Sequence, residues 1–456
     1  MNYESIKALS RNMRGTGITV NDLLALAYQN DPFYADLPCR RCDAEWFAEM
    51  WRKHINARGA HIRRIHYILV SSPHLLPGGA AAYENTEACW HRLSAASRDA
   101  RYLDLIPFDA LVDMRNDEPM FFAFNPELDP KEQRSVWAEV SADAIDFSSL
   151  ELPSTPSIGI GGLGERAARQ DYVVEVWIEK STQNDWLMPL CQRRGVNLAV
   201  GIGEQSETRS RELALRAAKY AVPVRVLYLS DLDPGGRSMP MAVARKVEFT
   251  IRKFGLDVDF QLIPVGLTPE QCDEYDLPRT PIKESERRKD KFEETFGHGA
   301  TELDALEALH PGAMGRILEA EIDNFLDPTL RRRVTAAFNE QSGPIVKIEA
   351  EIEAKYADEI EAIESDLSSI DDQLQEVAGR AQELWDKMEE ELEENCPDLS
   401  EVEIPRSEAS GETNKFVLFD SKRDYLAQMD AYNAWRNGDL IAVSEVQTEP
   451  DEPAEE

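Results

Sequence analysis

Apolar and polar positions over residues 172–265 switch repeatedly between two patterns, which indicates strands alternating with helices. Four short runs rich in β-branched and apolar residues are typical of strands buried on both faces: "YVVEVWI", "VNLAVGI", "VPVRVLYLS" and "VDFQLIPV". The segments between them have helical spacing: "QNDWLMPLCQRR", "ETRSRELALRAAKYA" and "MPMAVARKVEFTIRKF". Strands joined by helical crossovers predict a parallel four-stranded sheet with helices on both faces.

Helical spacing also dominates residues 20–105, where we expect small helices around a short ribbon. Residues 114–171 are polar and rich in proline, which predicts a flexible linker. Within them, Gly159, Gly161 and Gly164 match the pattern G-x-G-x-x-G. These glycines follow prolines and serines rather than a strand, so we do not expect a dinucleotide-binding loop.

A single long acidic helix is predicted for residues 345–395, because apolar residues recur there at alternating spacings of three and four. This pattern fits either a coiled-coil seam or a helix packed on its own domain. Residues 396–456 are predicted to be an acidic tail that ends in the disordered segment "EVQTEPDEPAEE". The seam residues are Ile360, Ile363, Leu367, Ile370, Leu374, Val377, Ala381, Leu384 and Met388.

Composition narrows the class of protein. The chain has 456 residues, 42% of them hydrophobic, but no apolar run approaches the roughly 18 residues of a membrane span, and we expect a cytoplasmic protein without a signal peptide. Six scattered cysteines fit a reducing compartment. The close pair Cys39 and Cys42 could form a zinc site only with two further ligands, for which His54 and His61 are candidates.

The net charge of −35 is unevenly distributed along the chain. Residues 351–456 carry 8 basic and 32 acidic side chains, whereas residues 51–100 carry 7 basic and 3 acidic ones. The basic stretch "WRKHINARGAHIRRIHY" includes Arg58, Arg63 and Arg64, which are candidates for contacts with DNA phosphates. An acidic overall composition therefore does not exclude a nucleic acid as a partner.

Carboxylates follow two of the predicted strands. Glu179 comes at the end of the first strand, and Asp231 and Asp233 come just after the third, before Pro-Gly-Gly. Asp, Pro and Gly also form ordinary solvated turns, but parallel strands place their carboxyl ends at one edge of a sheet. Three carboxylates at one edge repel each other, which favours Mg²⁺, or Mn²⁺, as a bound cation and a phosphate-bearing substrate.

A second acidic pair, Glu302 and Asp304, lies in "TELDALEALHP". These two residues could support the first three carboxylates from outside, or they could belong to the first turn of a helix. The sequence does not distinguish these alternatives.

The segments "VWIEKS" and "YLSDLDPGG" resemble the Toprim domain shared by topoisomerases, primases and some nucleases. By this resemblance Glu179 would be the acid of the first motif, and Asp231 and Asp233 the metal-binding pair. An Asp-x-Asp pair also occurs in glycosyltransferases and in haloacid-dehalogenase-like phosphatases. In those phosphatases, however, the first Asp lies on an early strand and Thr or Val usually follows, whereas Pro-Gly-Gly follows here.

Upstream, "HIRRIHYILVSS" resembles the Arg-x-x-x-Tyr segment in the winged-helix domain of the topoisomerase VI A subunit and of the related meiotic break-forming transesterases. Arg63 and Tyr67 match it. The resemblance implies that the tyrosine hydroxyl attacks a DNA phosphate to form a 5′-phosphotyrosyl end, and that the arginine steadies the phosphate. Tyr67 could equally be a core aromatic residue. Arg64 and His66 depart from the family, which more often has an acid and an aromatic residue there.

Together these observations predict an α/β multidomain protein. Its expected parts are a winged-helix-like module over residues 1–113, the linker, a Toprim-like parallel four-stranded α/β domain over residues 172–338, the long helix, which could form a coiled coil, and the tail. The acidic helix is not part of the usual topoisomerase VI A subunit. No Walker A motif occurs, so an ATP-driven gate would require a separate ATPase subunit.

Three functions are consistent with these features. The first is a Mg²⁺-dependent, type IIB topoisomerase-like enzyme that cleaves double-stranded DNA as a homodimer, with Tyr67 as nucleophile. The second is a Toprim-type nuclease of a mobile-element or defence system that hydrolyses DNA with water and leaves Tyr67 vestigial. The third is a DNA-binding or assembly protein without catalytic activity.

Overall fold

A computed structural model describes residues 2–13, 17–72, 74–77, 79, 81–113, 116–123, 135–145, 152–164, 167–201, 206–220, 222–369 and 374–439. The strands in these ranges are β1 (Trp137–Ser141), β2 (Ser157–Gly161), β3 (Val173–Ile178), β4 (Asn197–Val200), β5 (Val224–Leu229), β6 (Phe260–Gly266) and β7 (Phe419–Asp420).

The α-helices are α1 (Tyr3–Asn12), α2 (Pro38–His54), α3 (Ile62–Ser71), α4 (Glu87–Tyr102), α5 (Asn184–Arg194), α6 (Glu207–Ala217), α7 (Pro234–Phe254), α8 (Pro269–Glu274), α9 (Lys289–Phe296), α10 (Leu303–Leu309), α11 (Ala313–Asp323), α12 (Leu330–Lys355), α13 (Ala357–Ser369), α14 (Leu374–Asn395) and α15 (Tyr425–Asn437). Short 3-10 helices cover Asn21–Leu23, Pro32–Tyr34, Phe108–Ala110 and Ser181–Gln183.

The chain forms two compact units. The first contains residues 1–129, 172–325 and 410–456, and the second contains residues 130–171 and 326–409. The second unit therefore consists of two segments, each inserted between segments of the first unit.

A five-stranded sheet forms the centre of the first unit, with the order β4-β3-β5-β6-β7. The first four of these strands are parallel, and β7 adds to β6 in the antiparallel direction. Residues of β3, β4 and β5 are buried on both faces, as the apolar runs predict. The predicted parallel sheet of four strands is confirmed, whereas the sequence pattern did not reveal β7.

The amino-terminal part of the first unit is helical. Helices α2, α3 and α4 share an apolar core that includes Phe47, Ile65 and Leu93. After α3 the chain forms a short antiparallel ribbon, which we define as residues 74–76 and 81–83. In it Leu75 pairs with Ala82, and the Tyr83 amide donates to the carbonyl of His74. Small helices around a short ribbon are therefore present as expected.

A buried ion network joins three distant segments of the first unit. Arg245 on α7 donates from Nε to Asp31 at 3.0 Å and from Nη1 to Glu248 at 2.9 Å. Its Nη2 donates to the hydroxyl of Tyr425 on α15 at 2.9 Å, and that hydroxyl donates to the carbonyl of Leu23 at 2.7 Å. Arg245 and Asp31 have no exposed surface, so each charge depends on the other for its stability.

The second unit contains the antiparallel hairpin of β1 and β2, within residues for which we predicted a linker. Gly161 and Gly162 allow the backbone of β2 to lie close to residues of β1 and of the segment before it. A Cβ on Gly161 would lie 2.1 Å from the Trp137 ring, and Gly162 has a φ of +84°. These residues thus form a strand and its end.

Residues 345–395 do not form the single helix that we predicted. They are divided among the end of α12, α13 and α14 in the described residues, and residues 370–373 lie outside them. Asp366 accepts from Arg380 at 2.6 Å, and Tyr356 donates to Glu391, so α14 runs back antiparallel to α13 and the end of α12. The apolar spacing continues across these positions, so it did not reveal that α12 ends at Lys355 and α13 at Ser369.

Most of the predicted seam residues line the core of this helical hairpin within the second unit. The buried ones are Ile363, Val377, Ala381, Leu384 and Met388, with Ile360 and Leu367 partly buried around them. Because packing within the chain uses this seam, the seam gives no reason to expect pairing between chains. Ile370 and the predicted disordered tail from residue 445 lie outside the described residues.

We expect Arg245→Met to destabilise the first unit by about 3–5 kcal/mol, because it leaves the buried carboxylate of Asp31 without its cation and leaves Glu248 with Arg252 alone. The matched control is Arg193→Met, which removes an ion pair with Glu319 from a side chain that is 61% exposed and should cost about 1 kcal/mol or less. Urea unfolding of both variants measures the difference. Equal midpoints would contradict a stabilising role for the network.

Candidate functional site

Sheet topology brings Glu179 and Asp231 to the same edge. β3 and β5 are parallel neighbours in which Ile178 pairs with Leu229, so Glu179 and Ser230 follow side by side and Asp231 comes next. The chain leaves β3 toward β4 on one side and later continues from β5 to β6 on the other side. The edge between β3 and β5 is thus the topological switch point, where open α/β sheets bind their ligands.

Backbone contacts fix the segment that carries the two aspartates. Leu232 pairs with Thr301 through hydrogen bonds of 2.9 and 3.0 Å. Asp233 caps α7 by accepting from the amide of Gly236. A Cβ on Gly236 would lie 2.1 Å from the Asp231 carbonyl oxygen, so the tight turn requires glycine there. The Pro-Gly-Gly sequence therefore sets the direction of both carboxylates.

The pairing with Thr301 also brings the second acidic pair to this edge. The amide of Leu303 donates to Asp231 Oδ1 at 2.8 Å, and the flanking residues Glu302 and Asp304 lie beside it. The sequence identified these two acids but gave no reason to place them with Asp231. Their position depends on a contact between segments 70 residues apart in the chain, which no local pattern encodes.

Lys180 is the functional residue that the sequence prediction missed. Its Nζ lies 2.6 Å from Asp231 Oδ2, 3.1 Å from Glu302 Oε2 and 3.7 Å from Asp304 Oδ2. The ammonium thus lies among three carboxylates, in the kind of surroundings that a metal ion also prefers. In the sequence, only its position directly after Glu179 indicated that Lys180 could lie near the acids.

Asp304 is further held by polar side chains of the 3-10 helix Ser181–Gln183, which precedes α5. Thr182 donates to Asp304 Oδ1 at 3.0 Å, and Gln183 donates to the same oxygen. The acids that we call the acidic edge are Glu179, Asp231, Asp233, Glu302 and Asp304. Asp231 and Asp304 are held by hydrogen bonds from the backbone or from neutral side chains as well as by Lys180.

Burial and like charges change the protonation of the acidic edge. Burial of the Glu179 carboxyl, together with the charges of Asp231 and Asp233, raises its pKa from 4.5 to about 8. Burial also raises the pKa of Asp231, although Lys180 opposes this effect. Burial of the Lys180 ammonium lowers its pKa, but the hydrogen bonds and charges of Asp231 and Glu302 together outweigh burial and raise it. The ammonium of Lys180 lowers the pKa of Glu179, but burial and the two aspartates raise it by more.

The residues present fit a hard divalent cation. Glu179 Oε2 is buried and has no hydrogen-bond partner among the described residues, so it is an acceptor without a donor. Carboxylate oxygens are the ligands that Mg²⁺ prefers. Within the described ranges no three acidic, histidine or cysteine side chains are already gathered around one point. Binding by Glu179, Asp231 and Asp233 would thus require side-chain rotation, with Lys180 releasing Asp231.

The tyrosine is exposed on a separate element. Tyr67 lies on α3 with 61% of its surface exposed, so it is not a core residue. Arg63 is one helical turn earlier and is also exposed, which puts both side chains on one face of α3. No hydrogen bond, ion pair or ring contact in the described part of the chain joins Tyr67 to the acidic edge. The structure therefore does not bring these two groups together within one chain.

The other candidate residues are separated too. Arg58 and Arg64 are exposed, as DNA contacts require, although Arg58 pairs with Asp109 at 2.9 Å. Cys39 and Cys42 are at the start of α2 and His54 is at its end, while His61 caps α3 by accepting from the amide of Arg63. These four residues do not form the zinc site that we considered.

No protein-family model matches this chain, and a search of curated proteins finds no significant match. In the described residues no helix is both long enough and apolar enough to span a bilayer. The function must therefore be inferred from the acidic edge and the tyrosine helix themselves.

We expect the metal-free protein to lose stability as the pH rises from about 4.5 to about 8. Folding raises the pKa of Glu179, so the folded state binds its proton more tightly, and this stabilisation is complete below pH 4.5 and is lost above the raised value. Each unit of difference corresponds to about 1.4 kcal/mol. Urea unfolding in a chelator over this pH range should show a flatter dependence for Glu179→Gln. Parallel curves for the two proteins would contradict the raised pKa.

Proposed function

We propose that this protein is a Mg²⁺-dependent DNA-cleaving enzyme that resembles the topoisomerase VI A subunit. One observation carries the proposal: Glu179, Asp231 and Asp233 lie at the switch point of a parallel sheet, where their mutual repulsion and the partnerless Glu179 oxygen favour a divalent cation. Mn²⁺ is expected to substitute for Mg²⁺, since both prefer oxygen ligands.

Glu179, Asp231 and Asp233 would hold the cation. When bound, Mg²⁺ would supply positive charge that stabilises a phosphate during its reaction. Lys180 then no longer needs to neutralise Asp231, and its ammonium can interact with a phosphate oxygen instead. Thr182 and Gln183 hold Asp304, and through it the segment that carries Glu302 and Asp304, beside the proposed cation site.

Tyr67 is the proposed nucleophile. Its hydroxyl oxygen gives its proton to water and attacks the phosphorus of a DNA phosphate, the bond from phosphorus to the 3′ oxygen breaks, and the departing 3′ oxygen takes up a proton from water. The product is a 5′-phosphotyrosyl link and a free 3′ hydroxyl. Arg63, one turn away on the same face of α3, is placed to neutralise the attacked phosphate. Arg58 and Arg64 add positive potential for backbone phosphates.

Because no described contact joins Tyr67 to the acidic edge, we expect the two groups to meet between chains. A symmetric homodimer would place the tyrosine of one protomer against the acids of its partner, and would set two such sites across a duplex. A separate ATPase chain would be needed for any ATP-driven strand passage. These partners are part of the proposal.

The separation of Tyr67 from the acids also favours a second function. A metal-dependent nuclease needs only the acidic edge, with water as the nucleophile, and would leave Tyr67 without a catalytic role. The two functions differ in the product: the nuclease leaves free DNA ends, whereas the transesterase leaves DNA bound to protein.

Replacement of Asp231 and Asp233 by Asn should abolish Mg²⁺ binding measured by calorimetry and lower DNA cleavage by about 100-fold or more. The matched control is Asp257→Asn, because Asp257 is exposed and precedes β6, at the opposite edge of the sheet. Unchanged Mg²⁺ binding by the double variant, with its fold intact by circular dichroism, would refute the metal site.

Tyr67→Phe should abolish a covalent protein–DNA adduct trapped by denaturant, while Tyr28→Phe, which changes another exposed tyrosine, should retain it. Gel analysis of end-labelled DNA measures both adduct and cleavage. Cleavage without an adduct in the native protein would favour the nuclease, and Mg²⁺-independent DNA binding without cleavage would favour an assembly protein.

The same variants test the meeting of two chains. Tyr67→Phe and Asp231→Asn proteins should each be inactive alone, and should regain single-strand nicking when mixed, because one composite site is restored. Persistent inactivity of the mixture, or a monomer at the working concentration, would exclude action between chains.

A further inference from the structure

Two histidines outside the acidic edge face each other in the amino-terminal helices. His54 ends α2, and His74 begins the ribbon of residues 74–76 and 81–83. Their Nε2 atoms lie 3.0 Å apart, and their rings meet edge to face at 78°. The contact joins two segments 20 residues apart in the chain. A sequence pattern alone paired His54 with cysteines instead.

The hydrogen bond on the far side of His74 fixes the tautomer of that ring. Its Nδ1 lies 2.7 Å from the carbonyl oxygen of Ser72, which can only accept, so Nδ1 carries the hydrogen. In the neutral ring Nε2 then has a lone pair, and that lone pair is directed toward His54. A carbonyl that holds Nδ1–H in this way is the usual outer partner of a metal-binding histidine.

The distance between the two nitrogens suits ligands of one ion. Two imidazole nitrogens bound at about 2.0–2.1 Å in octahedral or tetrahedral geometry are separated by about 2.9–3.4 Å. The observed 3.0 Å falls in this range. In the metal-free protein, a hydrogen bond from Nε2–H of His54 to Nε2 of His74 accounts for the same distance. Conversion to a metal site then requires that His54 change to its Nδ1–H tautomer and that both rings rotate so that their lone pairs meet at one ion beside the N–N line.

We propose that His54 and His74 bind a transition-metal ion of the zinc, cobalt or nickel class, with water completing the coordination. Imidazole nitrogen favours these ions over Mg²⁺, so this site is chemically distinct from the acidic edge and does not depend on the function proposed for it. Bound metal would join the ribbon to the end of α2.

Two further side-chain hydrogen bonds hold the described residues of the ribbon to the helices. Trp46 on α2 donates from its indole nitrogen to the carbonyl of Leu75 at 3.0 Å, one residue after His74. On the other strand of the ribbon, the hydroxyl of Tyr83 lies 2.8 Å from His66 Nδ1 on α3. A metal at the histidine pair would therefore fix the ribbon against α2. Because Tyr83 of the ribbon also contacts His66, the metal would indirectly hold the ribbon against α3.

Co²⁺ and Zn²⁺ titrations of the full chain test the site, with excess Mg²⁺ present to occupy the acidic edge. We expect one saturable site, a cobalt d–d spectrum without a thiolate charge-transfer band, and a rise in melting temperature on Zn²⁺ addition. His54→Gln and His74→Gln should each weaken binding by about tenfold or more. His91→Gln is the matched control, since His91 is 71% exposed on α4, and it should bind as the native protein does.

Binding that survives both substitutions, or that shows a thiolate band from the exposed Cys39 and Cys42, would overturn the proposal. Titration of the native protein provides a test that needs no variant. Protons compete with a metal ion for the imidazole lone pairs, so the affinity should be lower at acidic pH than at neutral pH. An affinity that is the same at both would also overturn it.

Discussion

The parallel pairing of β3 with β5 is the constraint on which the acidic edge depends. It aligns Ile178 with Leu229, so the chain leaves both strands at one level and places Glu179 and Asp231 together. A register shift of one residue in either strand would turn the following side chain to the other face of the sheet. The antiparallel contact of Leu232 with Thr301 then adds Glu302 and Asp304. Hydrogen bonds of the backbone, rather than attraction between side chains, thus concentrate negative charge at this point.

Carboxylates this close together repel each other, and the ammonium of Lys180 offsets part of that repulsion. Its ammonium is within 4 Å of Asp231, Glu302 and Asp304, but Glu179 is left with a buried oxygen that nothing in the described chain satisfies. A site built only for stability would pair this carboxylate or replace it with an apolar residue. The same low-dielectric surroundings that make the unpaired oxygen costly also strengthen its attraction for an added cation. Lys180 neutralises Asp231, Glu302 and Asp304, whereas the Glu179 oxygen has no partner in the described chain. This difference distinguishes the acidic edge from an ordinary surface turn.

Local patterns predicted those parts of the fold that local forces determine. The apolar runs of β3 to β6 and the helices between them identified a parallel sheet, and the strand ends identified Glu179, Asp231 and Asp233. The position of β7 was not predictable, because Phe419 and Asp420 pair with β6 across more than 150 residues and form only a two-residue strand. The predicted long helix was wrong because an apolar spacing of three and four is the same whether a helix continues or folds back. Lys180 was missed since a lysine after a strand is unremarkable until tertiary contacts surround it with acids.

The ion network of Arg245 has a consequence for the order in which the chain acquires its structure. Tyr425 donates to the carbonyl of Leu23, 402 positions earlier, and also accepts from Arg245. During synthesis on the ribosome, Arg245, Asp31 and Glu248 therefore lack their hydrogen-bond partner Tyr425 until α15 has emerged. All residues of the inserted second unit emerge before then, and they carry their own apolar core. The insertion can thus complete its folding before the unit that surrounds it in sequence, so the last segment to be translated closes the first unit.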